Sequence, residues 1–171
     1  MKNVKNIFKG IFAASLLTAT SLASAGWTVS GGYVNYNEDD EGIDISVDAV
    51  YASVGYEYES GNMVFMPEIR LGTGVGDDNV MGVEVEIDSV FAASIRGQYN
   101  ITEQFAVFLQ PSYARIEATA RFEGQSVTED DWEFGFGGGA AFKVSKSFSI
   151  EAIYENYDNS DVVSIGARYT F

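Results

Sequence analysis

Between residues 26 and 171 apolar and polar side chains alternate with a period of two, in runs of about ten residues, and no stretch carries a helical period. That is the period of an extended strand with two unlike faces. The last run is the plainest. Val163, Ile165, Ala167, Tyr169 and Phe171 lie on one parity, and Ser164, Gly166, Arg168 and Thr170 on the other. The run Trp132, Phe134, Phe136, Gly138, Ala140, Phe142 alternates with Glu133, Gly135, Gly137, Gly139 and Ala141. Likewise Val85, Ile87, Phe91, Ala93, Ile95 and Tyr99 alternate with Glu84, Glu86, Asp88, Ser94, Arg96 and Gln98.

Eight such runs can be followed, joined by two kinds of connection. Glu59–Asn62, Asn100–Gln104 and Ser145–Ser147 are short. The segments 36–46, 76–83, 119–131 and 156–161 are mostly longer and carry Asp39, Asp40, Glu41, Asp77, Asp78, Glu129, Asp130, Asp131, Asp158 and Asp161, and they read as acidic loops. Short turns interleaved with loops are what an eight-stranded up-and-down meander requires, with both chain ends on the short-turn side.

The segment preceding the runs, 1–25, reads as a secretory signal peptide. Lys2, Lys5 and Lys9 precede the apolar run Ile11–Ala19, and Ala23-Ser24-Ala25 is a small-residue cleavage site before Gly26. The apolar run is too short and too rich in Ser and Thr to be a membrane-spanning helix. No cysteine follows the site, so a lipid anchor is excluded. Cleavage would remove three of the ten cations and none of the 25 carboxylates, moving the net charge from −15 to −18. That sign excludes wrapping a nucleic-acid backbone.

The polar parity decides what kind of barrel this is. A soluble barrel points its apolar side chains inward, whereas a barrel in a membrane is turned inside out. Here the polar side mixes small residues (Gly72, Gly74, Gly135, Gly137, Gly139, Gly166, Ser94) with charges of both signs: Glu68, Arg70, Arg96, Glu133, Glu151, Glu155 and Arg168. Such a mixture suits a narrow interior crossed by ion pairs. The only lysines after the signal are Lys143 and Lys146, too few for a solvated outer surface. Aromatics gather at the run ends, as in the girdles that flank a lipid-facing band. Arg115 and Glu117 are the exceptions on the apolar parity and belong at the loop-side interface. The expectation is an all-β, eight-stranded antiparallel up-and-down transmembrane β-barrel over residues 26–171. Pro67 and Pro111 fall inside runs, where each costs a ladder hydrogen bond or marks a bulge.

The whole stretch resembles the small outer-membrane β-barrels of OmpA/OmpX type. The terminal Ser164-Ile165-Gly166-Ala167-Arg168-Tyr169-Thr170-Phe171 carries most of the likeness, together with Met66–Gly72 and Gln110–Ala114. The resemblance implies a protein of the cell outer membrane of a Gram-negative bacterium, in contact with outer-membrane lipid and lipopolysaccharide. It implies also that Ile165, Ala167, Tyr169 and Phe171 form a signal read by the barrel assembly machinery. The barrel is expected to be a monomer with no cofactor.

Enzymes of similar build depend on a histidine, and this chain has neither histidine nor cysteine. A Ser–His–Asp arrangement is therefore impossible. Glu84 and Glu86 read as solvated carboxylates rather than an acid–base pair. Asn37–Gly42 lacks the alternating ligands and closing Glu of a calcium loop. Gly137–Gly139 lacks the helix N-terminus of a phosphate cradle. Three non-enzymatic readings stay open: a structural or surface-interacting barrel with a filled polar lumen, a narrow channel for cations or small polar solutes, and an adhesin acting through its acidic loops.

Overall fold

A computed structural model describes residues 26–40, 43–80, 83–122, 125–158 and 160–171. The expected signal segment 1–25 lies outside these described residues. The strands are β1 (Trp27–Asp40), β2 (Ile43–Tyr56), β3 (Tyr58–Ser60), β4 (Met63–Gly74), β5 (Asp77–Val80), β6 (Val83–Asn100), β7 (Phe105–Phe122), β8 (Gln125–Lys143), β9 (Phe148–Tyr157) and β10 (Ser160–Thr170). Every pairing is antiparallel. β3 prolongs β2 along β4, and β5 prolongs β4 along β6, so the ten strands make eight staves. The β1–β10 and β4–β6 ladders close the sheet on itself.

The stagger of this barrel can be walked pair by pair. From Thr28 the partners run Gly55, Glu68, Ser94, Ser112, Gly135, Tyr157 and Ser160, and return to β1 at Glu38. A climb from residue 28 to 38 in one circuit of eight staves tilts the strands by about 40°. It leaves an interior that side chains alone can fill.

Both prolines cost ladder pairs and neither shifts a register. Gly55↔Glu68 and Tyr58↔Phe65 share one register, which sets Pro67 opposite Tyr56. Pro67 has no amide hydrogen to give there, and the break between β2 and β3 falls at that place. Pro111 lies in the gap between Ser94↔Ser112 and Gly97↔Leu109, again with the register kept.

Two expectations are corrected. Ile87 does not share a face with Phe91: the register slips between Ile87 and Ser89, and Ile87 is buried among Val47 and Val90 inside the barrel. One extra residue in a strand reverses every face beyond it. The acidic segments, moreover, are largely strand. β1 runs to Asp40 and β2 starts at Ile43; β7 runs to Phe122 and β8 starts at Gln125. Adjoining strands satisfy each other's backbone groups in water as well as in lipid. On β8 alternation stops there because neither face is buried: its residues 125–132 are all exposed.

Burial is inverted relative to a soluble protein. Arg96 is 0% exposed and Glu155 0%, whereas Phe134 is 63% and Leu109 59% exposed. The outward residues of β7 read Phe105, Val107, Leu109, Tyr113, and its inward ones Ala106, Phe108, Gln110, Ser112, Ala114. Phe105 and Tyr113 stand about 20 Å apart along the barrel axis at this tilt, close to the height of an outer-membrane apolar band.

Candidate functional site: the closed lumen

The inward side chains of β4, β6, β7, β9 and β10 meet in a circuit of seven residues. Arg70 Nη1 donates to Glu155 Oε2 at 2.6 Å, and Gln110 Nε2 donates to Glu155 Oε1 at 3.2 Å. Arg96 Nε donates to Gln110 Oε1 at 3.1 Å, and its Nη1 to Glu151 Oε2 at 2.9 Å. Arg168 Nε donates to Glu151 Oε1 at 2.8 Å, and its Nη2 stands 2.6 Å from Glu68. Glu68, 3.8 Å from Arg70, closes the circuit. All seven residues are buried.

Three arginines thus face three carboxylates and the circuit is neutral. In a confined interior this matters more than the number of pairs, because a buried charge without a partner is costly. The circuit is not uniformly tight. Both oxygens of Glu68, with Nε and Nη2 of Arg70 and Nη2 of Arg96, have no aligned hydrogen-bond partner, so Glu68 is held by charge rather than by directed bonds. Beyond the circuit, Arg168 Nη1 donates to Thr28 Oγ1 at 2.9 Å, and the Tyr157 hydroxyl donates to Glu155 Oε1 at 3.3 Å.

Apolar side chains flank the circuit along the axis. Toward the short turns lie Ala106, Phe108 and Ala141, and Ile153, between Glu151 and Glu155 on β9, packs into the same cluster. Toward the long strand ends lie Val34, Ala49, Tyr51, Ala92, Ala114 and Val162, then Val47, Ile87 and Val90. Two aromatic rings join the layers to the charges. Arg96 lies over the Phe108 ring, 3.8 Å from its centre, and Arg70 over the Tyr51 ring at 4.9 Å. A guanidinium stacked on an aromatic face is attracted by the ring's quadrupole.

Of the lumen residues singled out in the sequence, Glu68, Arg70, Arg96, Glu151, Glu155 and Arg168 are brought together. Glu133 is also on the inward parity, but it is half-exposed and four residues beyond the Gly137↔Glu155 pair, outside the circuit. Gln110, Tyr51, Phe108 and Tyr157 complete the interior without having been singled out. Parity alone would have found Phe108, which shares a face with Gln110. Of the carboxylates considered for other chemistry, the side chains of residues 38–42 and of Glu84 fall outside the described residues.

The outward face ends in two aromatic belts. On the short-turn side, Trp27 and Tyr56 meet edge to face at 5.3 Å, and Tyr169 and Phe171 at 5.1 Å. Ile165 and Tyr169 are exposed outward and Ala167 is half-buried, so the terminal residues lie on this face. On the other side Tyr113 stacks on Trp132 at 5.1 Å, and Phe91 meets Trp132 at 6.1 Å. Past that belt the outward residues turn polar: Asn35 bonds Asp48, Arg115 bonds Asp130, and the Tyr154 hydroxyl donates to Asp161 at 2.6 Å.

An apolar band between aromatic belts, wrapped around a charged interior, defines an integral β-barrel of an outer membrane. The sequence agrees: it matches the outer membrane protein beta-barrel domain over residues 10–171, and the chain belongs to that family. Among solved structures it is similar to Ail, the attachment invasion locus protein of Yersinia pestis, with 18% identity, a TM-score of 0.64, and coverage of 86% of this chain and 100% of that one. Neisserial surface protein A is similar at 14% identity and a TM-score of 0.61, covering 86% of this chain and 98% of that one. The N-terminal barrel of Pseudomonas aeruginosa OprF follows at 10% identity and 0.53, covering 83% and 97%. At such identities the likeness concerns the fold. No curated protein matches the sequence significantly.

Proposed function

We propose that this outer-membrane barrel is a closed, non-catalytic envelope protein, structural or surface-interacting, whose lumen serves as a plug rather than a path. The neutral seven-residue circuit between two apolar layers carries this reading. A cation channel needs a net carboxylate field along a wetted route. Here each buried carboxylate already faces a guanidinium, and an ion would also have to cross Ala106 and Phe108 on one side and Val47 and Val90 on the other. The protein acts as a monomer embedded in lipid and lipopolysaccharide. The terminal strand, from Ile165 to Phe171, is its assembly signal, and the long strand ends face the exterior.

The likeness to Ail does not carry a ligand with it. Ail has been solved with sucrose octasulfate, a heparin analogue. The outer segments of this chain carry Asp39, Asp40, Asp77, Asp78, Glu129, Asp130, Asp131 and Asp158, with Arg115 and Arg121 as their basic residues. A polysulfated glycan would meet repulsion here, so a surface partner would be neutral or basic. The plug reading is tested by solute flux. Vesicles holding the refolded protein should retain entrapped potassium and small sugars as protein-free vesicles do. Release proportional to the protein content would refute the plug.

A further inference from the structure

The ladder between β1 and β10 joins the two ends of the barrel, and its middle has almost no side chains of its own. Gly31 pairs with Ala167 and Gly32 with Gly166. The space inside this seam is filled from a third strand. Tyr51 of β2 is 4% exposed, and its ring crosses β1 above Gly32, so that its hydroxyl reaches Gly166 on β10. A methyl group on Gly166 would run into that hydroxyl. A methyl on Gly32 would come within 2.9 Å of the ring and would also strike backbone atoms of β10. The other side of Tyr51 belongs to the charge circuit, with the Arg70 guanidinium 4.9 Å from the ring centre and Glu155 of β9 bonded to that same arginine. An aromatic laid over glycines in a neighbouring strand restores the packing that glycine omits.

We infer that Tyr51 is the latch of the closing seam: it fastens β1 to β10 only when the Arg70–Glu155 pair is in place, so that seam closure and lumen filling are one event. The seam's backbone bonds pair the first strand with the last and so join residues further apart in sequence than any other ladder here, which gives them the largest loop-closure cost. Packing across Gly32 and Gly166 therefore requires that β2, β1 and β10 be already side by side. Arg70 then holds the ring down from within.

Strand-resolved hydrogen exchange on the refolded barrel in phospholipid nanodiscs tests this. Tyr51→Ala should lower amide protection in β1 and β10 at least tenfold, while β6 and β7, across the barrel, change less than twofold. Tyr51→Phe keeps the ring and should stay within about threefold of wild type throughout. A second pair of variants uses the fit itself. Gly166→Ala should open the seam as Tyr51→Ala does. Adding Tyr51→Phe to it should restore part of the lost protection: the hydroxyl is gone and the nearest ring carbon stands 3.3 Å from the new methyl, while the Gly31 carbonyl oxygen at 2.9 Å still has to give. Equal loss in all strands on Tyr51→Ala would make Tyr51 an ordinary core residue, and failure of Tyr51→Phe to rescue Gly166→Ala would remove the contact from the seam. Either result overturns the latch. Should Tyr51→Ala not refold, the Gly166→Ala pair decides alone.

Discussion

Arg168 and Glu151 meet as a fork: Nε donates to Oε1 at 2.8 Å and Nη2 to Oε2 at 3.2 Å, both residues being buried. Two parallel bonds between a guanidinium and a carboxylate fix geometry as well as charge. Arg168→Ala would leave Glu151 to Arg96 alone and take from Glu68 its nearest cation. Breaking a buried pair costs about 3–5 kcal/mol, less where water enters. The folded band on an unboiled gel should therefore convert to the unfolded one at a clearly lower temperature. Arg168→Lys should recover only part of the loss, because an ammonium cannot make the fork. The lipid-face change Ile165→Val should leave the conversion temperature unaltered.

Glycines at two places give opposite outcomes. A methyl on Gly137 would collide with the Tyr154 carbonyl and would stand 2.6 Å from Glu155 Cγ, displacing the partner of Arg70. Gly137→Ala should destabilise by about 1–3 kcal/mol, the usual cost of overpacking. Gly97 has nothing within 4 Å and is exposed, so Gly97→Ala should be neutral or slightly stabilising. Urea unfolding in lipid vesicles measures both.

Phe171 ends the chain beside Tyr169, and its amide donates to the Trp27 carbonyl at 3.0 Å. If the terminal residues are the assembly signal, deleting Phe171 should leave export intact and cut the outer-membrane yield several-fold, with periplasmic or degraded protein taking its place. Cell fractionation reads the result. An unchanged yield would remove the signal from this residue.

Asp161 lies past the outer aromatic belt and accepts from the Tyr154 hydroxyl at 2.6 Å and the Asn156 amide at 2.9 Å. These donors, Tyr154 first, hold its carboxyl below the ordinary aspartate value. A carboxyl whose pKa is lowered by folding adds stability above its unfolded pKa and loses it as pH falls through the folded one. The tie should therefore persist at neutral pH and fail only in acid below about pH 3.9. Carbon-detected NMR titration should place the Asp161 midpoint under that value, and Tyr154→Phe should raise it.

How much was legible in the sequence follows from what lipid does to side chains. Where the wall faces lipid, one parity must be apolar, so Val163, Ile165 and Tyr169 against Ser164 and Arg168 left no doubt of the strand or its faces. Where the wall leaves the membrane, that demand ends. The first residues of β8, from Gln125 to Trp132, read as a loop in the sequence because both of their faces are exposed. The reversal at Ile87 depends on one inserted residue, which alternation interrupted by Asp88 and Ser89 does not mark. Six of the circuit's residues could be named from parity and charge. Their partners could not, since Arg70–Glu155 and Arg168–Glu68 are set by tilt and stagger around the barrel, quantities absent from any single run.

Single-channel recording in a planar bilayer tests the closed lumen most directly. The wild-type barrel should show no steady conductance over the range of voltages a bilayer withstands, and Arg96→Ala, which uncovers Glu151 and Gln110, should add brief cation-selective openings. Steady, cation-selective current through the wild-type protein, unaltered by Arg96→Ala, would contradict the account and make the barrel a channel.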